Sequence, residues 1–203
     1  MTPIEMLMHE HRVIEKTIDA LAEYAGRLRD GGEAPREDLR LFVTFIRAFA
    51  DTCHHGKEED ILFTALAARG MAVTGGPLSV MLHEHALGRD YVHALARVAG
   101  GAGTMTDAER ETVAAAAGGY GELLRAHIQK EDQVLYPMSL RLLPESEWTR
   151  IAAAFEKFEA EKTGPGEHER LHELAHVLMA KYPAPAGASS EAAPAGCFGC
   201  GGA

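Results

Sequence analysis

Two segments of this 203-residue chain set an imidazole and a carboxylate four residues apart: His54 with Glu58, and His127 with Glu131. On a helix that spacing puts both groups on one face, a turn apart, where they can reach one cation or bridge two. His11 and His85 each fall in an apolar stripe with steps of three and four, so each adds one nitrogen to the same interior. Four nitrogens and two bridging carboxylates form a near-symmetric dinuclear donor set that suits iron, manganese or zinc and leaves positions open. No cysteine belongs to the set, which disfavours iron–sulfur chemistry and structural zinc. Any one of these histidines alone reads more simply as a satisfied core residue. Six such groups buried together do not, because their acceptors exceed their donors and unpaired buried polar groups are costly.

Turn signals define the elements that must position these residues. Thr2-Pro3 starts a helix that runs to about Arg29, before Asp30-Gly31-Gly32. A second block runs from about Pro35 to Ala68, and a third from about Leu78 to Ala99. Thr106 with Glu109 has the form of a capping box and opens a fourth block that ends near Leu143. Pro144 opens a fifth helix, and Gly164-Pro165-Gly166 separates it from a sixth that ends near Tyr182. Strand-type alternation is unconvincing throughout, so the class is all-α. The expected fold is an up-down-up-down four-helix bundle over 1–143, with two further helices packed on it over 144–182. An Ala/Pro/Gly tail over 183–203 cannot bury a core and is expected to be flexible.

Helix phase sharpens the choice of residues. Ile4, Leu7, His11, Ile14, Ile18, Leu21, Ala25 and Leu28 share one face of the first helix; His9 lies roughly 200° away. Leu78, Met81, His85, Val92, Leu95 and Ala99 select His85 over His83 in the same way. The second helix offers Ile46, Ala50, His54, Glu58, Ile61 and Ala65. The fourth offers Val113, Ala117, Tyr120, Leu124, His127, Glu131, Val134 and Met138. The pattern also repeats. His-Glu-His at 9–11 recurs at 83–85, and HHGKEEDILF from His54 recurs as HIQKEDQVLY from His127. The midpoint of 11 and 54 falls in the first loop, that of 58 and 85 in the second, and that of 85 and 127 at the edge of the third. Antiparallel helices then bring all six side chains to one layer.

At the segments EHRVI, HHGKEEDILF, EHALG and HIQKEDQVLYP, over residues 4 to 142, the chain resembles the hemerythrin-like HHE cation-binding family. The resemblance implies a non-haem centre of two iron ions (Fe2+/Fe3+, oxo- or hydroxo-bridged) held by His11, His54, Glu58, His85, His127 and Glu131. Oxygen-carrying hemerythrins have an extra histidine on the third helix, one turn from its partner. Here those positions are Met81 and Arg89, so oxygen carriage does not follow. The ligand set is similar to that of bacterial iron–sulfur repair di-iron proteins, whose cysteine-bearing N-terminal segment has no counterpart in this chain. The Glu-x-x-His arrangement of ferritin-like proteins is also missing.

Several residues keep more than one reading. His55 lies about 100° from His54 and is a seventh ligand, a partner of a ligand, or an exposed histidine. His9 and His83 are expected to face solvent or a neighbouring helix, while Glu10 and Glu84 could orient ligand histidines. His168, His172 and His176, at steps of four, are a polar face, a separate surface metal site or a cap on the bundle end. Cys197-Phe-Gly-Cys200 is a weak motif outside any βαβ context; passing iron, sensing redox state and pairing with a partner are its functional readings.

Composition bounds the partners. A formal net charge of −10 argues against nucleic acid and against an anionic membrane surface. Three scattered cysteines, no signal-peptide pattern and no long apolar run point to a cytoplasmic protein. The expected partner is a small diatomic or peroxide ligand. The enzymatic reading is decomposition of peroxide or reduction of nitric oxide; the alternatives are reversible binding or sensing, and donation of iron for iron–sulfur cluster repair. The fifth and sixth helices either cap the bundle or form a homodimer interface.

Overall fold

The Thr2 hydroxyl accepts a hydrogen bond from the backbone N–H of Glu5 at 3.2 Å, and the Glu5 carboxylate accepts from that of Thr2 at 2.8 Å. This capping box satisfies two donors that a helix start leaves open, and Pro3 loses nothing there by lacking an N–H. Helix α1, Pro3–Arg29, follows, and Gly31 turns the chain out of it at φ 76°. The other helices are α2 (36–68), α3 (Pro77–Ala99), α4 (107–142), α5 (145–163) and α6 (Glu167–Lys181). Thr106 and Glu109 repeat the capping box at the start of α4. The computed structural model describes residues 1–164 and 166–184, and no strand occurs among them. Cys197 and Cys200 lie outside the described residues, as does the expected tail from 185 onward.

Helices α2 and α4 do not keep α geometry throughout. Wider π turns occupy Ile46–His55 and Glu58–Leu62 in α2, and Glu131–Leu135 in α4. A π turn holds one more residue than an α turn, so the buried stripe advances by four past each glutamate, where the sequence reading advanced it by three. Leu62 and Leu66 are fully buried, whereas the expected Ile61 and Ala65 are only partly so. In α4 the expected Val134 and Met138 are 50% and 37% exposed, and Leu135 and Ser139 take their places inside. The stripes expected for α1 and α3 are buried as read.

Helix α4 packs against both α1 and α3, α3 also packs against α2, and the middle of α2 closes against α1. Helix α6 lies along α1 and α2, while α5 meets α1 and the π turns of α2. Leu171 and Leu178 of α6 are fully buried in the same apolar cluster as Tyr24 and Phe42, which contributes roughly 3–6 kcal/mol to holding α6 there. The apolar core falls into two clusters. One is built around Ile14, Phe45, Leu95 and Tyr120, the other around Leu7, Leu66, Leu78 and Phe155. The residues of the candidate site are buried as well. No helix among the described residues is long and apolar enough to cross a membrane.

Candidate metal centre

The six residues selected by helix phase come together, and His55 joins them. One ligand atom from each of His11, His54, Glu58 and Glu131 lies within 4.8 Å of the others, and so does one from each of His55, Glu58, His85 and His127. Glu58 belongs to both groups. Glu131 also spans the layer, with Oε2 3.3 Å from His11 Nε2 and 3.2 Å from His127 Nε2. His85 Nε2 and His127 Nε2 stand 3.0 Å apart, and the His55 ring stacks on His85 at 3.8 Å between centroids. The wider π turn of α2 carries both His54 and His55, so both neighbours are buried where an α turn would have sent one to the edge. His9 and His83 point outward, as helix phase requires.

Each of four imidazoles has its Nδ1 side occupied by a carboxylate from the preceding helix. Nδ1 of His54 pairs with Glu10 at 2.9 Å, that of His85 with Glu59 at 2.6 Å, that of His127 with Glu84 at 2.9 Å, and that of His11 with Asp132 at 2.8 Å. The carboxylates therefore pass from α1 to α2, α2 to α3, α3 to α4, and α4 back to α1. Such a bond fixes the proton on Nδ1 and leaves Nε2 as the electron-pair donor. Of these partners the sequence suggested Glu10 and Glu84; it concealed Glu59 and Asp132. Their signal was the acid pair Glu58-Glu59, repeated as Glu131-Asp132, in which one member faces in and the other faces a neighbouring helix.

A third tier answers the outer carboxylates with cations. Lys57 binds Glu10, Lys130 binds Glu84, Arg89 binds Glu59 at 2.9 Å, and Arg12 binds Asp132. Lys57 is fully buried, and its second partner is Glu159 of α5 at 2.6 Å. Glu58 and Glu131 have no Lys or Arg partner among the described residues. Burial and the nearby Glu131 push the Glu58 carboxyl well above its usual range. Burial acts on Glu131 the same way, but His127 and His11 outweigh it and hold that carboxyl well below the range. Burial would also lower His11, yet its bond to Asp132 and the nearby Glu131 carboxylate raise it to about 9, whereas burial takes His54 down to about 4.

Among the described residues, five buried polar atoms are left without a hydrogen-bond partner: His54 Nε2, His55 Nδ1, Glu58 Oε2 and both carboxylate oxygens of Glu131. His55 Nδ1 does lie 3.4 Å from Asp51 Oδ1, but not in hydrogen-bonding geometry. Unpaired donors and acceptors at this depth are rare in native proteins, and all five belong to one layer. Divalent cations would satisfy them, so the donor set fits a metal. Tyr136 was not anticipated: its hydroxyl donates to Glu58 Oε1 at 2.7 Å, and its ring stacks parallel to His11. Phe63, its counterpart in the repeat, stacks on His85 at 6.0 Å. A small cavity of about 30 Å3, lined by Asp51, His55, Gly88, Arg89 and Tyr120, adjoins the layer.

An all-helical protein with two histidine–carboxylate groups sharing one buried layer is built to bind cations. The hemerythrin HHE cation-binding domain matches residues 2–139, and the chain belongs to that family. Uncharacterized proteins of Mycobacterium bovis and Mycobacterium tuberculosis are each 26% identical to it over 163 residues, which is 80% of this chain and 63% of theirs. The chain thus spans less than two thirds of the length of these relatives.

Proposed function

We propose that α1–α4 form an up-down-up-down four-helix bundle that holds two iron ions and handles a small oxidant: oxygen, peroxide or nitric oxide. His11, His54 and Glu131 would hold one ion and His55, His85 and His127 the other, with Glu58 facing both. The observation that carries this reading is the set of five partnerless buried atoms in one layer. The cationic tier supports it, because it neutralises the four outer carboxylates and leaves Glu58 and Glu131 for the ions. Bound iron supplies redox capacity and open coordination positions for a diatomic molecule or peroxide.

The chain's own residues prepare that chemistry. Outer carboxylates lock His11, His54, His85 and His127 each in one tautomer, Tyr136 holds a proton against Glu58 Oε1, and the rings of Phe63 and Tyr136 exclude bulk water. The cavity beside His55 has room for a molecule of one or two heavy atoms. Complete burial of the layer favours retained metal over an iron-donor role, and the sparse cysteines suit a reducing, cytoplasmic compartment. Metal analysis of the reconstituted protein tests the proposal, followed by optical spectra of the anaerobically reduced form with oxygen, peroxide and nitric oxide added in turn. About two irons per chain and an oxidant-dependent spectrum are expected. A persistent single iron would refute the dinuclear reading, and spectra indifferent to all three oxidants would refute the functional one.

A further inference from the structure

The small cavity beside the layer is lined by residues that range from the exposed Arg47 of α2 and His93 of α3 to the buried His55 of the layer itself. It therefore leads from the surface between α2 and α3 toward the candidate centre. Ile46, Gly88, Val92 and Tyr120 wall it in, and all four are buried. Arg89 reaches from α3 to Asp51 at 2.7 Å and Glu59 at 2.9 Å on α2, which ties the two helices together at this point. Larger cavities beside Ile151, Trp148 and Arg110 have no residue of the layer in their linings. Gly88 is the informative part of the wall. It lies within α3 and its backbone is not left-handed, so no turn requires glycine there. In a helix interior glycine is about 1 kcal/mol less favourable than alanine. A Cβ at this position would stand 3.5 Å from Tyr120 Cε2, an ordinary contact, so the packing would accept a methyl group. The fold gains nothing from glycine at position 88. What the missing side chain preserves is free space beside His55.

We propose that this cavity is the passage by which a ligand of about two heavy atoms enters and leaves the layer, and that Gly88 sets its size limit. The proposal rests on the reading of the layer as an iron centre for a small oxidant, and it adds the route and the selection. A free volume of about 30 Å3 exceeds what one water needs but holds little more. Dioxygen, nitric oxide and hydrogen peroxide fit such a space; an organic hydroperoxide does not.

Stopped-flow binding of nitric oxide to the iron-loaded, anaerobically reduced full chain tests the passage. A plug raises the barrier in both directions and leaves the end states alone. In Gly88→Ala, association and dissociation should therefore both slow by roughly tenfold, while their ratio and the spectrum of the complex stay as in wild type. Gly118→Ala, whose methyl group would meet nothing within 4 Å, should keep the wild-type rates. A second measurement needs no iron: in the metal-free full chain, dissolved dioxygen should speed the NMR relaxation of the Ile46 and Val92 methyl groups, and Gly88→Ala should abolish that effect. Equal nitric oxide rates in Gly88→Ala and wild type would overturn the passage, as would a changed ratio, which would place the effect on the centre itself. Methyl relaxation indifferent to dioxygen would overturn it as well. Failure of the interior reading would appear as no nitric oxide complex in any protein, and the dioxygen measurement would then decide the passage alone.

Discussion

The Tyr136 hydroxyl donates to Glu58 Oε1 at 2.7 Å and so ties the second half of the repeated pattern to the first at the centre of the layer. Tyr136→Phe keeps the ring on His11 and removes that bond together with the longer contact of the hydroxyl to His11 Nε2 at 3.3 Å. Losing a buried hydrogen bond of this kind should cost about 1–3 kcal/mol in the metal-free protein. Urea unfolding measures the loss, and an unchanged midpoint would show that the hydroxyl stabilises nothing.

The carboxylates behind the imidazoles should matter to the metal more than to the fold. Glu59→Gln and Asp132→Asn are each expected to weaken metal binding about 10- to 100-fold, measured by competition with a chelator. His83→Ala, on the outer face of α3, should leave it unchanged.

Lys57 and Glu10 test the cationic tier. Lys57→Met leaves a buried carboxylate short of its main counter-charge and should destabilise the protein by about 3–5 kcal/mol. Adding Glu10→Gln should recover part of that loss. A double variant as unstable as the sum of the two single ones would argue against a coupled pair.

His11 makes metal uptake sensitive to pH. Its folded value of about 9 lies above the ordinary 6.5, so the charged form stabilises the metal-free protein fully below pH 6.5, and that stabilisation fades as pH rises through 9. Near neutral pH an incoming cation must expel this proton. Loading should therefore release at least one proton per chain from His11 in weakly buffered solution, and this release should disappear well above pH 9. Proton release in a pH-stat that stays constant across that range would contradict the assignment.

Much of the site was legible because α1 and α3 keep α geometry around their histidines, so helix phase alone separates His11 from His9 and His85 from His83. Beyond Glu58 and Glu131 the phase slips at the π turns, and the forecasts of Ile61, Ala65, Val134 and Met138 as core residues fail there for one common cause. His55 stayed open for a related reason, since its place depends on a turn whose width the local sequence does not announce. Glu59 and Asp132 were hidden differently. A flanking carboxylate on one helix shows its role only when the imidazole of the next helix is seen opposite it. Tyr136 looked like a plain aromatic match to Phe63, and the added hydroxyl had no visible target until Glu58 faced it.

The circuit of carboxylates bears on how such a centre could arise. Two of its four links, Glu10 to His54 and Glu84 to His127, lie within a helical hairpin; Glu59 to His85 and Asp132 to His11 cross from one hairpin to the other. A lone hairpin would leave one of its two imidazoles without an orienting partner, whereas two copies related by a twofold axis would supply every link reciprocally. The tandem repeat in this chain thus preserves the logic of a symmetric pair, with the two copies joined into one polypeptide. The Phe63/Tyr136 difference then marks where the halves have ceased to be equivalent.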